Sequence, residues 1–149
     1  MSEQHNLTHS LSEEELCLYR KHGYLIRESV FSVDELADLT ASVERAVSLA
    51  HDQSSSGQAY HLDGKRFVDI GNMTVQFEQG DKDEIIRVIE PAHHLDAFLE
   101  MLVEDVRIVE PVKSIIGVDQ VSVWTNKLNL KRAGKGSGFG WHQDSPYWV

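Results

Sequence analysis

A chain of 149 residues with 41% hydrophobic and 26% charged residues is long enough for one core and too apolar for disorder, and it has no apolar run long enough for a membrane span. Its formal net charge of −10 makes nucleic acid and anionic membranes poor partners, while a small anion in a locally basic pocket remains compatible with it. The polar start Met1-Ser2-Glu3-Gln4 lacks the basic and apolar regions of a signal peptide, and the single Cys17 excludes an internal disulfide, so the expectation is one cytoplasmic domain over 1–149.

Two helix starts are written in the sequence. At Leu11-Ser12-Glu13-Glu14-Glu15-Leu16, Ser12 suits an N-cap, Glu15 can reach back to it, and Leu11 with Leu16 forms a staple. The same device recurs at Phe31-Ser32-Val33-Asp34-Glu35-Leu36. The first helix should stop at Gly23, in a left-handed cap. A short strand is read at Tyr24-Leu25-Ile26. The second helix should run from Val33 to about His51 and bury the stripe Leu36, Leu39, Val43, Val47 and Ala50. The polar stretch from His51 to Gly64 reads as a loop. Strand signals follow at Arg66 to Ile70, Met73 to Glu78 and Ile85 to Ile89. Helical spacing returns at Leu95, Phe98, Leu99 and Leu102, then from Val106 to Ile116, where Pro111 should kink or restart the helix before Gly117 closes it.

The strongest strand pattern is Val121 to Lys131. Alternation places Val123, Thr125, Lys127, Asn129 and Lys131 on one face and Trp124, Asn126, Leu128 and Leu130 on the other. After the turn Ala133-Gly134-Lys135-Gly136-Ser137-Gly138, a second strand from Phe139 to Asp144 should return antiparallel to it. Helices first and strands late give an α+β class. On such a strand His142 and Asp144, two apart, would share a face. They would offer an imidazole nitrogen and a carboxylate oxygen, two corners of the facial triad that holds iron(II) with positions left open. Alone, a His and an Asp two apart are more often a surface pair.

Other features read more plainly. His93-His94 are adjacent and diverge, which suits a helix start or a surface, and His51 and His61 lack ligand spacing. Lys135-Gly136-Ser137-Gly138 lacks the full pattern of a phosphate loop and no helix pattern follows it. Lys127 and Lys131 also suit edge-strand protection. Trp124 and Trp141 read as core residues.

The strand Asn126-Lys127-Leu128-Asn129-Leu130-Lys131, the Gly-rich turn, and Phe139-Gly140-Trp141-His142-Gln143-Asp144-Ser145-Pro146-Tyr147-Trp148 together resemble the signature of the phytanoyl-CoA dioxygenase family. The openings His22-Gly23-Tyr24-Leu25 and Phe31 to Leu36, and the middle segments Val88 to His93 and Val109 to Gly117, are similar too, so the resemblance runs from about residue 12 to 149. It implies a double-stranded β-helix, a jelly-roll barrel carrying amino-terminal helices. It implies a dioxygenase that uses iron(II), 2-oxoglutarate and dioxygen to hydroxylate a small organic substrate. His142 and Asp144 would be metal ligands, with Lys127, Asn129 and Gln143 at the 2-oxoglutarate. Thr125, on the face of Lys127, and Trp148, close behind the ligands, are candidates to touch substrate. A halogenating branch of the wider superfamily has a small residue at the carboxylate position, so Asp144 points to hydroxylation.

The family places a second histidine and a 2-oxoglutarate-binding arginine on strands further along. Neither is expected within these residues, which should hold about half of the barrel and bind iron and co-substrate weakly. The alternative reading is a truncated or degenerate member, catalytically inactive, that serves as an interaction module. A cupin-like metal site is disfavoured, because cupins usually open with His-x-His.

Overall fold

The computed structural model describes residues 9–80, 84–138 and 140–143. Phe139, Asp144 and Trp148 therefore lie outside the described residues. Both amino-terminal helices begin as their sequences dictate. In α1, Glu13–His22, the Ser12 side chain accepts from the Glu15 amide and the Glu15 carboxylate accepts from the Ser12 amide, and Gly23 ends the helix in the left-handed region. In α2, Val33–Ser54, Ser32 and Glu35 form the same reciprocal pair. Ser32→Ala is expected to cost about 1 kcal/mol, read from the shift of the urea midpoint. The capping carboxylate of Glu15 also receives the Arg27 guanidinium, which lowers its pKa from 4.5 to about 2. A carboxylate depressed in the folded state stabilises above its ordinary value and loses that contribution as pH falls. Wild type and Glu15→Gln should therefore differ in melting temperature above pH 4.5 and converge as pH approaches about 2.

Five strands follow as one antiparallel sheet in chain order: β1 Gln58–Leu62, β2 Lys65–Ile70, β3 Met73–Phe77, β4 Ile86–Glu90 and β5 Leu128–Asn129. Three of these were legible in the sequence to within a residue. Between β4 and β5 the chain makes a short 3-10 turn, His93–Leu95, and two helices, α3 Ala97–Val103 and α4 Val106–Ile116. Pro111 sits inside α4 without ending it, and Gly117 closes that helix with φ 77°. The core lies between α2 and one face of the sheet. Val68, Met73, Val75, Phe77, Ile86 and Ile89 project from the strands, and Ala50 and Ala92 close over them. The mixture of helices with an antiparallel sheet is the expected α+β class.

Several expectations are corrected. The buried line of α2 is Ser42, Ala46 and Ala50; Leu36 is 47% exposed, while Val47 packs partly against the core. Small side chains let the helix approach the sheet, and the hydroxyl of Ser42 donates to Asp96 at 2.7 Å ahead of α3. Tyr24 to Ile26 is not a strand, because no strand lies beside it among the described residues; Arg27 anchors this stretch by donating to Glu15 and to the carbonyls of His9 and Ser10. The stretch from His51 to Gly64 is not a loop. It holds the last turn of α2 and all of β1, which joins β2 through Asp63 and Gly64, both at positive φ. Val121 to Lys131 is a strand only at Leu128–Asn129. Its neighbour β4 ends at Glu90, and the Pro91 that follows has no N–H to extend the ladder. Residues 140–143 are not in a strand, since a two-residue β5 offers no edge for a returning partner.

Candidate functional site

Residues opposite one another in an antiparallel pair share a face of the sheet. Val75 lies opposite Ile89, and Ile89 opposite Leu128, all on the helix-covered side. Gln76 lies opposite Val88, Val88 opposite Asn129, and Thr74 opposite Glu90, so these residues turn to the other, polar face. Lys127 is two residues before Asn129 and joins them there, its Nζ 3.1 Å from Glu90 Oε2. Thr125 donates its hydroxyl to Glu90 Oε1 at 3.0 Å. The odd-numbered face expected for Thr125, Lys127 and Asn129 is therefore present, although most of the segment is extended chain rather than strand. The even-numbered residues go the other way. Leu128 and Leu130 pack on the core, and Asn126 Oδ1 accepts from the amides of Ala92 and His93 at 2.8 and 3.2 Å. Trp124 and Trp141, read as core residues, are instead exposed. On the same polar face Tyr60 stacks on Phe67, with ring centroids 5.4 Å apart; burial first and the Asp69 carboxylate second raise the phenol pKa.

Beyond β5 the chain is brought back over this face by polar contacts rather than by a ladder. Arg132 makes a forked ion pair with Glu44 of α2, including a 2.7 Å bond to Oε2. Its carbonyl accepts from the amides of Lys135 and Gly136, which closes the turn. A Cβ at Gly136 would stand 2.8 Å from the Arg132 nitrogen and 2.9 Å from the Lys131 Cα, so only glycine fits. Ser137 then meets Glu78: its amide donates to Oε1 at 3.0 Å and its hydroxyl to Oε2 at 2.7 Å. Arg87 donates to Glu78 Oε2 at 3.3 Å and to the Gly138 carbonyl at 3.1 Å. Both charged side chains are buried. A cavity of about 380 Å³ lies here, lined in part by Lys65, Gln76, Arg87 and Gly140.

His142 and Gln143 are exposed at the end of this segment. His142 Nδ1 lies 2.8 Å from the Gly140 carbonyl oxygen. A carbonyl only accepts, so Nδ1 carries the proton of this contact. This backbone anchor is what a metal-binding imidazole needs. Among the described residues no three His, Cys, Asp or Glu side chains are gathered as a metal site. His93 heads the 3-10 turn with His94, as the helix-start reading expects, and its Nδ1 is buried without a hydrogen-bond partner. His51 and His61 are both exposed, one near the end of α2 and one on β1.

Glu78, Arg87 and Glu90 went unmarked in the sequence. A signal existed for Arg87, a charge inside the apolar run Ile85 to Ile89, and for Glu78, which follows the inward Met73, Val75 and Phe77 onto the opposite face.

A family model described as phytanoyl-CoA dioxygenase matches residues 19–149. The chain belongs to this family. Its curated relatives include ectoine dioxygenases. That of Bordetella parapertussis is 29% identical over 139 residues, covering 93% of this chain and 39% of the relative. That of Nocardia farcinica is 28% identical over 135 residues, covering 91% and 39%. That of Streptomyces avermitilis is 28% identical over 138 residues, covering 93% and 40%. The chain thus spans about two fifths of the length of these phytanoyl-CoA dioxygenase family relatives. No solved structure matches it. Among the described residues, no helix is long and apolar enough to cross a membrane.

Proposed function

We propose that this chain carries two iron ligands and part of the 2-oxoglutarate pocket of an iron(II)-dependent dioxygenase that hydroxylates a small organic substrate, with ectoine the first compound to test. The supporting observation is the polar face: Lys127 and Asn129 lie on it, and Ser137, Gly138 and Gly140, just ahead of His142, lie against Glu78, Arg87 and Gln76 at the other end of β3 and β4. In this reading the five-stranded sheet is part of one layer of a double-stranded β-helix, and a second histidine and an arginine complete the site.

His142 would bind the metal through Nε2, with Nδ1 held by Gly140, and Asp144 would supply the carboxylate. Iron(II) with 2-oxoglutarate and dioxygen supplies oxidative decarboxylation to succinate and carbon dioxide, coupled to hydroxylation of a carbon. Lys127 would draw in a carboxylate of the co-substrate while Asn129 and Gln143 donate amide hydrogens. The ammonium of Lys127 is now paired with Glu90, both partly exposed. Such pairs contribute about 0.2–1 kcal/mol, so a ligand carboxylate can displace Glu90 at little cost. Thr125 would adjust Glu90, and Trp148 would wall the substrate.

An interaction module without catalysis is the second reading. It draws on the apolar groove that Val112 and Ile116 of α4 line with Val121 and Val123, all four partly or largely exposed. Anaerobic iron(II) titration with 2-oxoglutarate separates the two, following the weak visible charge-transfer band. In a chain that also carries the second histidine and the arginine, the dioxygenase reading expects a saturable band that His142→Ala removes, and a far weaker one in these 149 residues; no band in the longer chain, or one indifferent to His142, leaves the interaction module.

A further inference from the structure

The geometry points to Glu78 and Arg87 as positioning residues: a buried charged clasp on Ser137 and Gly138 that fixes the His142 segment over the polar face. The inference rests on the reading of His142 as a metal ligand. Glu78 and Arg87 are 3% and 8% exposed, and their carboxylate and guanidinium meet at 3.3 Å. Burying two charges is costly, and replacing such a pair with apolar side chains is often neutral or stabilising. Core stability alone is therefore a poor account of it.

Its hydrogen bonds show where it acts. Glu78 accepts from both the amide and the hydroxyl of Ser137, and Arg87 donates to the carbonyl of Gly138. Two consecutive residues are gripped through backbone groups, which sets position and direction along the chain whatever side chains follow. No strand among the described residues holds this stretch, so ladder pairing cannot set its register. Arg132 with Glu44 anchors the turn from the helix side, and the clasp anchors it from the polar side. His142 follows five residues after Ser137. An extended chain spans at most about 3.6 Å per residue, so the clasp confines the His142 Cα to within roughly 18 Å of that of Ser137. Shifting the grip by one residue would displace the ring by about 3.4 Å, well beyond the tolerance of a metal site.

The test uses the 149-residue chain with Glu78→Gln, Arg87→Lys and Ser137→Ala, the last of which leaves the ion pair intact. Three readouts are taken: thermal unfolding, backbone order parameters of residues 137–143, and manganese(II) affinity. The expected result is order parameters falling below about 0.6 over this segment while β2 to β4 stay rigid. Manganese(II) affinity should fall about 10–100-fold in Glu78→Gln, as for the loss of an outer-shell partner. Ser137→Ala, which keeps the backbone bond, should show a smaller change of the same kind with a melting temperature near wild type. Unchanged order in both Glu78→Gln and Ser137→Ala, or order lost only in step with global unfolding, overturns the clasp. If wild type binds no manganese(II), the clasp is judged on the order parameters alone, and the metal reading on a chain that also carries the second histidine and the arginine.

Discussion

His142→Ala and Asp144→Ala are each expected to lower iron(II) affinity by more than about 100-fold, because even outer-shell losses cost about 10–100-fold and these are proposed ligands. The two substitutions should differ in kind. Asp144→Ala removes the negative charge that offsets the metal, and in a complete enzyme it should abolish hydroxylation. His142→Ala removes the nitrogen that the Gly140 carbonyl has oriented. Metal titration followed by the 2-oxoglutarate band reads both. His93→Ala and His94→Ala serve as controls and should leave affinity within about twofold of wild type, since neither belongs to the proposed donor set.

Phe77→Ala is expected to destabilise the chain by about 3–5 kcal/mol in urea unfolding. Phe77 has no exposed surface and sits among Val75, Ile86 and Ile89 between the sheet and α2. Arg66 lies over its ring, with the guanidinium carbon 3.8 Å from the centroid, so truncation also strips a cation of its aromatic partner. A loss of that size is a large fraction of the roughly 5–15 kcal/mol that usually holds a domain folded. Leu36→Ala, at a half-exposed position of the expected α2 stripe, should cost far less. Equal losses at the two positions would contradict the placement of the core.

What the sequence revealed was mostly local. Ser12 with Glu15 and Ser32 with Glu35 are three residues apart, and their hydrogen bonds need nothing distant, so both helix starts could be read directly. The strands β2 to β4 showed because their inward positions are apolar. β1 did not, since every residue from Gln58 to Leu62 is exposed and no alternation marks it. The Asp63-Gly64 turn beside it was the available sign. The length of β5 was hidden because a strand is as long as its neighbour allows, and that depended on Pro91, far away in sequence. For the candidate site, alternation along the 121–131 segment correctly set Lys127 and Asn129 on one face. The clasp of Glu78 and Arg87 joins residues more than fifty positions apart, and no local pattern announces it. The role of Asp144 rests on its place in the family motif, two positions after His142 in the sequence.

Manganese(II) broadens NMR signals close to it and can take the place of iron(II) without redox chemistry, so mapping the broadened signals locates the site directly. The account predicts that broadening in the presence of 2-oxoglutarate centres on His142 and Asp144 and extends to Asn129 and Lys127 on the polar face. Broadening centred on His93 and His94, on His51 or His61, or on the acidic first turns of α1 and α2, with His142 and Asp144 left sharp, would contradict it.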